Sequence, residues 1–237
     1  MSAFEFVTCS ELIQILGLRA DDEQELATIL AEVPLDSVHY HTHGHFLRHG
    51  FVGAPYPNDF ATWAAVQVRD RGLAERLAVI SPLDFPTLEG LREEILTILD
   101  DHLSHLTIVP RVIFGEPFEF MQSRVVEVST GVVAHSLADF RKGLAAVPAS
   151  AVYFHTIEAS RRLGGSETDF AAWLRAGLGM EKLAEAFNRV DPYTGSLERL
   201  RAEFLRLCDT APLAGFDEGG ATGGKEGPGF CAAAQKP

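Results

Sequence analysis

The chain has 237 residues, 46% of them hydrophobic and 22% charged, the balance of a folded globular protein rather than a disordered or fibrous one. Its formal charge of −13 repels phosphate backbones and anionic headgroups, which argues against nucleic-acid and membrane partners. Cys9, Cys208 and Cys231 lie far apart in no metal or redox spacing, the start has no leader-like pattern, and no apolar run nears the roughly 20 residues of a membrane span, so a reducing cytoplasm is the expected location.

In chain order, Phe4-Glu5-Phe6 opens the sequence and returns as Phe118-Glu119-Phe120. Apolar, charged, apolar is a strand period. The following residues disagree, SELIQIL reading as helix and RVVEVST as strand, so both states stay open over 8–16 and 122–130, with the extended one preferred. Gly17 and Gly131 read as matched turns. Helix starts are then expected in pairs, capped by Asp22 and Ser136, Asp36 and Ser150, Asn58 and Thr168, and Thr87 and Ser196.

The most informative stretch is VPLDSVHYHTHGHFLRHG from Val33, which holds His39, His41, His43, His45 and His49 and is answered by VPASAVYFHTIEASRRLG from Val147. Ungapped, His41-Thr42 falls on His155-Thr156 and Gly50 on Gly164. A helix running from Asp36 or Ser150 to those glycines is expected, with Gly44 inside it at a cost of about 1 kcal/mol. Asn58-Asp59-Phe60-Ala61-Thr62-Trp63 then matches Thr168-Asp169-Phe170-Ala171-Ala172-Trp173, and each half closes on a leucine-rich amphipathic segment, TLEGLREEILTILDDHL or SLERLRAEFLRLCDT.

These matches lead to an expected fold that is mainly α: two tandem helical repeats, 4–105 and 118–210, related by pseudo-twofold symmetry, with a minor β element from the FxF segments. Residues 106–117 are too apolar for a free tether and are expected to be a packed connector. The Gly-rich stretch 211–237 is expected to be disordered.

The ordered set FxF, VP before a helix containing HT, NDFxxW and a closing TLxxLR helix resembles an uncharacterised prokaryotic family, domain of unknown function 5752, over residues 4 to about 210 and in both copies. The resemblance implies a mostly helical fold and no established activity. The second copy departs from the pattern in having Thr168 where the first has Asn58, and in a shorter loop.

Two constellations invite chemistry. On a helix His41, His45 and His49 recur every fourth residue, a spacing that brings imidazoles of neighbouring turns toward one divalent metal ion, although no HExxH pattern is present and the second copy keeps only His155. His41 and His155 also follow a valine by three residues, which places them inward, where Asp59 or Asp169 can hold one ring nitrogen. With Trp63 and Trp173 these residues form a candidate paired site, whose simplest reading is a structural tie flanked by core tryptophans. A binding or scaffold protein is therefore expected, acting on a protein or small-molecule partner through the groove between repeats or a partner surface. The alternative is a metal-dependent hydrolase-like enzyme using the His-rich helix.

Overall fold

A computed structural model describes residues 3–49, 55–163 and 167–211. The FxF segments do not make a minor element. They open two long strands, β1 (Phe4–Ala20) and β2 (Phe118–Ala134), which pair antiparallel as a two-stranded ribbon. The register sets Phe4 opposite Ala134 and Ala20 opposite Phe118, with breaks after Phe6 and Ile15. Gly17 and Gly131 sit at these breaks at φ 72° and 71°, so they form bulges inside the strands rather than turns at their ends. Cross-strand pairing overrides the helical propensity of SELIQIL, as tertiary context commonly does.

Between the strands run α1 (Glu23–Glu32), α2 (Leu35–His41), α3 (His43–Arg48), α4 (Asp59–Trp63), α5 (Arg71–Ala78) and α6 (Leu88–Ser104). After β2 come α7 (Leu137–Ala146), α8 (Ala149–Tyr153), α9 (Ala159–Leu163), α10 (Asp169–Leu178), α11 (Glu181–Asn188) and α12 (Leu197–Thr210). π-helical turns follow α4 at Ala64–Val68 and α8 at Phe154–Glu158. Asp22, Asn58, Thr87, Ser136, Thr168 and Ser196 each accept a hydrogen bond from a backbone N–H of the helix they open.

Asp36 and Ser150 are not caps, because Pro34 and Pro148 occupy the cap positions of α2 and α8 and put them inside the first turn. The single helix expected after Asp36 is broken at Thr42, whose backbone turns to φ −114°, ψ −80° while its hydroxyl donates to the Val38 carbonyl at 2.7 Å. The matching stretch instead widens into the π-helical turn at Phe154–Glu158. Gly50 and Gly164, expected to end these helices, lie outside the described residues, as do Cys231 and the chain after Ala211.

The expectation of a mainly α protein of two tandem helical repeats is corrected by this arrangement, which is mixed α+β. Phe4 and Phe6 of β1 pack among Phe140, Phe170 and other residues of α7–α12. Phe118 and Phe120 of β2 pack with Phe60, Trp63 and the core of α1–α6. Each helical set thus completes its core with the strand that opens the other, and among the described residues no self-contained tandem unit is evident. The physical reason is antiparallel pairing: it carries the start of each strand to the far end of its partner, where the phenylalanines meet the other set of helices. Between these ends the ribbon is open, with Leu12, Ile13, Ile15, Leu18, Val126 and Val128 exposed.

The connector at 106–117 docks on the first helical set. Val112 N–H donates to the Asp21 carbonyl at 2.8 Å and Val112 packs against the same core as Phe118. Its Ile113 and Phe114 remain exposed. Among the described residues no helix is long and apolar enough to cross a membrane.

Candidate functional site

His41 is buried on the last turn of α2, and its Nδ1 lies 2.9 Å from Asp59 Oδ2 at the start of α4. Its Nε2 accepts the backbone N–H of Met121 in β2 at 3.1 Å. His155 repeats both contacts: Nδ1 is 2.8 Å from Asp169 Oδ2, and Nε2 accepts the N–H of Val7 in β1 at 2.8 Å. Each ring is held by a carboxylate with its proton on Nδ1, and its other nitrogen accepts a strand N–H. Burial lowers the His41 pKa against the pull of Asp59, which suits a neutral ring that must accept a hydrogen bond.

Asp59 is the hub of the first constellation. His45 Nδ1 reaches its Oδ1 at 2.7 Å and Arg48 Nη2 its Oδ2 at 2.5 Å. Burial alone would raise this carboxyl; the bonds to His41 and His45 and the charge of Arg48 hold it well below the usual carboxylate range. Arg48 also stacks 3.8 Å over Tyr40, as Arg162 stacks 4.3 Å over Phe154 while donating to Asp169 at 2.7 Å. The sequence reading missed both arginines. The signal was present, since Arg48 and Arg162 fall at matching places after the two HT pairs.

Trp63 is buried and donates Nε1–H to the Glu116 carbonyl at 3.1 Å; with Tyr40, His41, Asp59, Phe118 and Met121 it lines a shallow pocket of about 270 Å³. Trp173 is buried against Phe140, with the rings stacked at 5.3 Å. The structure thus brings His41, Asp59 and Trp63 to one pocket, and His155 to Asp169.

It does not bring His41, His45 and His49 onto one point. His41 has both nitrogens engaged, His49 is exposed with Nδ1 on the His45 carbonyl at 2.9 Å, and the rings of His45 and His49 stack 4.1 Å apart. His45 is buried rather than part of a surface patch, and its Nε2 has no hydrogen-bond partner among the described residues. Among those residues the one group of donors spaced for a metal ion is Glu23, Asp70 and His102.

A second polar constellation joins the two helical sets. His39 Nε2 is 3.1 Å from Oε2 of the buried Glu158, which also takes Arg161 Nε at 2.8 Å. Burial opposes ionisation of Glu158, but the bonds to His39 and Arg161 bring its pKa down to about 2. His43 stacks on His39 at 5.1 Å, and burial, aided by His39, pushes it down to about 3. Nearby Glu11 accepts from Ser123 at 2.8 Å, and a Cβ on Gly44 would lie 2.6 Å from its carboxylate, so the glycine in the His-rich stretch makes room for a buried acid.

Two outcomes follow from these contacts. His41→Ala and His155→Ala are each expected to cost about 1–3 kcal/mol in urea denaturation, because Met121 or Val7 loses its acceptor; losses under about 0.5 kcal/mol would contradict the tie. His43 is neutral in the fold and titrates below its ordinary 6.5, so its contribution is full above pH 6.5 and declines as pH falls toward 3. Between pH 7 and pH 5 that amounts to about 2 kcal/mol. A His43→Leu variant should lack this slope, measured against wild type at both pH values.

The sequence matches, over residues 1–209, a family described as a family of unknown function, DUF5752. The match is single and spans both helical sets. A solved structure, described as that of OrfY from Thermoproteus tenax, is similar at 27% identity and a TM-score of 0.72, covering 88% of this chain and 94% of that one. No curated protein matches. With the ordered motifs and a match over most of its length, the chain belongs to the DUF5752 family.

Proposed function

We propose that the protein is a cytoplasmic binding module that holds a protein partner through its strand ribbon. The observation that carries this reading is the exposure of Leu12 at 65%, Ile13 at 52% and Ile15 at 61%. Neighbouring residues of a strand face opposite sides, so exposure of both Leu12 and Ile13 leaves the ribbon open on both faces there. Val126 and Val128 extend the apolar surface on β2. Soluble proteins avoid long exposed apolar strands because these invite pairing and aggregation, unless the surface serves a partner.

The charge of −13 favours a partner with an apolar centre and a basic rim, and disfavours both nucleic acid and a second copy of this chain. Free, buried Cys9 and Cys208 suit a reducing compartment. The alternative of a metal-dependent hydrolase-like enzyme on the His-rich segment has less support, since His41 and Asp59 spend their polar atoms on the protein itself.

A photo-crosslinking residue in place of the exposed Gln14 tests the proposal in cells. The expected result is one discrete adduct with a basic protein, lost when Leu12→Glu and Ile15→Glu are added without a change in melting temperature. No adduct, an adduct between two copies of the chain, or one that survives both substitutions would overturn it.

A further inference from the structure

We propose that Glu23, Asp70 and His102 form a site for one borderline divalent cation such as Zn²⁺, separate from the ribbon and from the His-rich segment. The three come from different elements: the first turn of α1, the residue capping α5 and the last turn of α6. His102 Nε2 lies 3.1 Å from Asp70 Oδ2 and 3.4 Å from Glu23 Oε2, and the three donor atoms fall within 4.8 Å of one another. Ligands bound at about 2.0–2.2 Å in a tetrahedron stand roughly 3.3–3.6 Å apart, so little movement is needed to close on an ion.

The independent observation is Glu23 itself. Its side chain is completely buried, and neither carboxylate oxygen has a hydrogen-bond partner among the described residues. An ionised carboxylate left so is costly, and its surroundings worsen the cost because Asp70 and Asp22 add negative charge. A cation removes the repulsion and fills the vacant lone pairs together. Asp70 is prepared for this, since Oδ1 accepts the Leu73 N–H at 2.9 Å and fixes the carboxylate with Oδ2 toward His102. Two carboxylates with one imidazole suit a borderline ion over Ca²⁺ or Mg²⁺, which take oxygen ligands. The partial exposure of Asp70 and His102, 18% and 14%, opens the site to water for the remaining coordination.

The test uses full-length untagged protein, stripped with a chelator and titrated calorimetrically with Zn²⁺, with Co²⁺ absorption reporting coordination geometry. Wild type and His49→Ala are expected to bind one equivalent with a melting temperature several degrees higher, whereas Glu23→Gln loses at least tenfold in affinity along with that rise. If Glu23→Gln does not fold, Asp70→Asn, which keeps the helix cap, is expected to show the same loss. No binding by wild type overturns the site, as does binding that survives Glu23→Gln, or Asp70→Asn in its place, whether or not it disappears in His45→Ala.

Discussion

Replacing Phe6 with alanine is expected to destabilise the protein by about 3–5 kcal/mol, the usual range for deleting a buried phenylalanine ring. The location of the damage matters as much as its size. Phe6 is fully buried among Phe4, Phe140 and Phe170, so the cavity opens in the core of α7–α12, more than a hundred residues away in the sequence. Hydrogen exchange should accelerate first across α7 and α10. Phe120→Ala should do the converse, loosening α1 and α4 through the core that Phe120 shares with Leu26 and Phe60. Faster exchange confined to α1–α6 in Phe6→Ala would refute the exchange of strands between the two helical sets.

Glu23→Gln is expected to stabilise the metal-free protein by about 2–3 kcal/mol at pH 8, contrary to the usual effect of altering a buried residue. Burial first, then Asp70 and Asp22, raises the Glu23 carboxyl from its ordinary 4.5 to about 7. A raised pKa means that the contribution is full below pH 4.5 and is lost as pH rises through 7. Above that, the fold carries a buried negative charge, without a hydrogen-bond partner among the described residues, that glutamine does not have. The advantage of the variant should shrink to under about 1 kcal/mol at pH 5, as the native carboxyl takes up its proton. Stability curves in urea with chelator at pH 5 and pH 8 decide it; equal effects at both would show that Glu23 is ionised without penalty. Because His43 and His41 titrate in the opposite sense, they oppose the gain that Glu23 gives wild type toward pH 5, and Glu23→Gln exposes the histidine slope.

Local chemistry was legible where it depends on near neighbours. Asn58, Thr87 and Ser196 announce their helices because a side-chain oxygen two or three residues from free N–H groups has one geometry available to it. Asp36 misled because Pro34 supplies an equally good start two residues earlier. The inward position of His41 and His155 followed from helical spacing. The place of Glu158 did not, since nothing near it in sequence indicates that His39 will arrive from the other helical set.

The sequence by itself determined most helix starts, the matching HT and DFxxW segments, and an acidic globular chain with two aromatic FxF motifs. Only the tertiary structure decided that those motifs open long strands, that each strand completes the opposite core, and that Glu23, Asp70 and His102 meet. Capping and periodicity act over one or two turns of chain and are written in adjacent residues. Strand pairing and buried charge depend on partners a hundred or tens of residues distant, which the chain selects only when the whole of its apolar surface is buried at once.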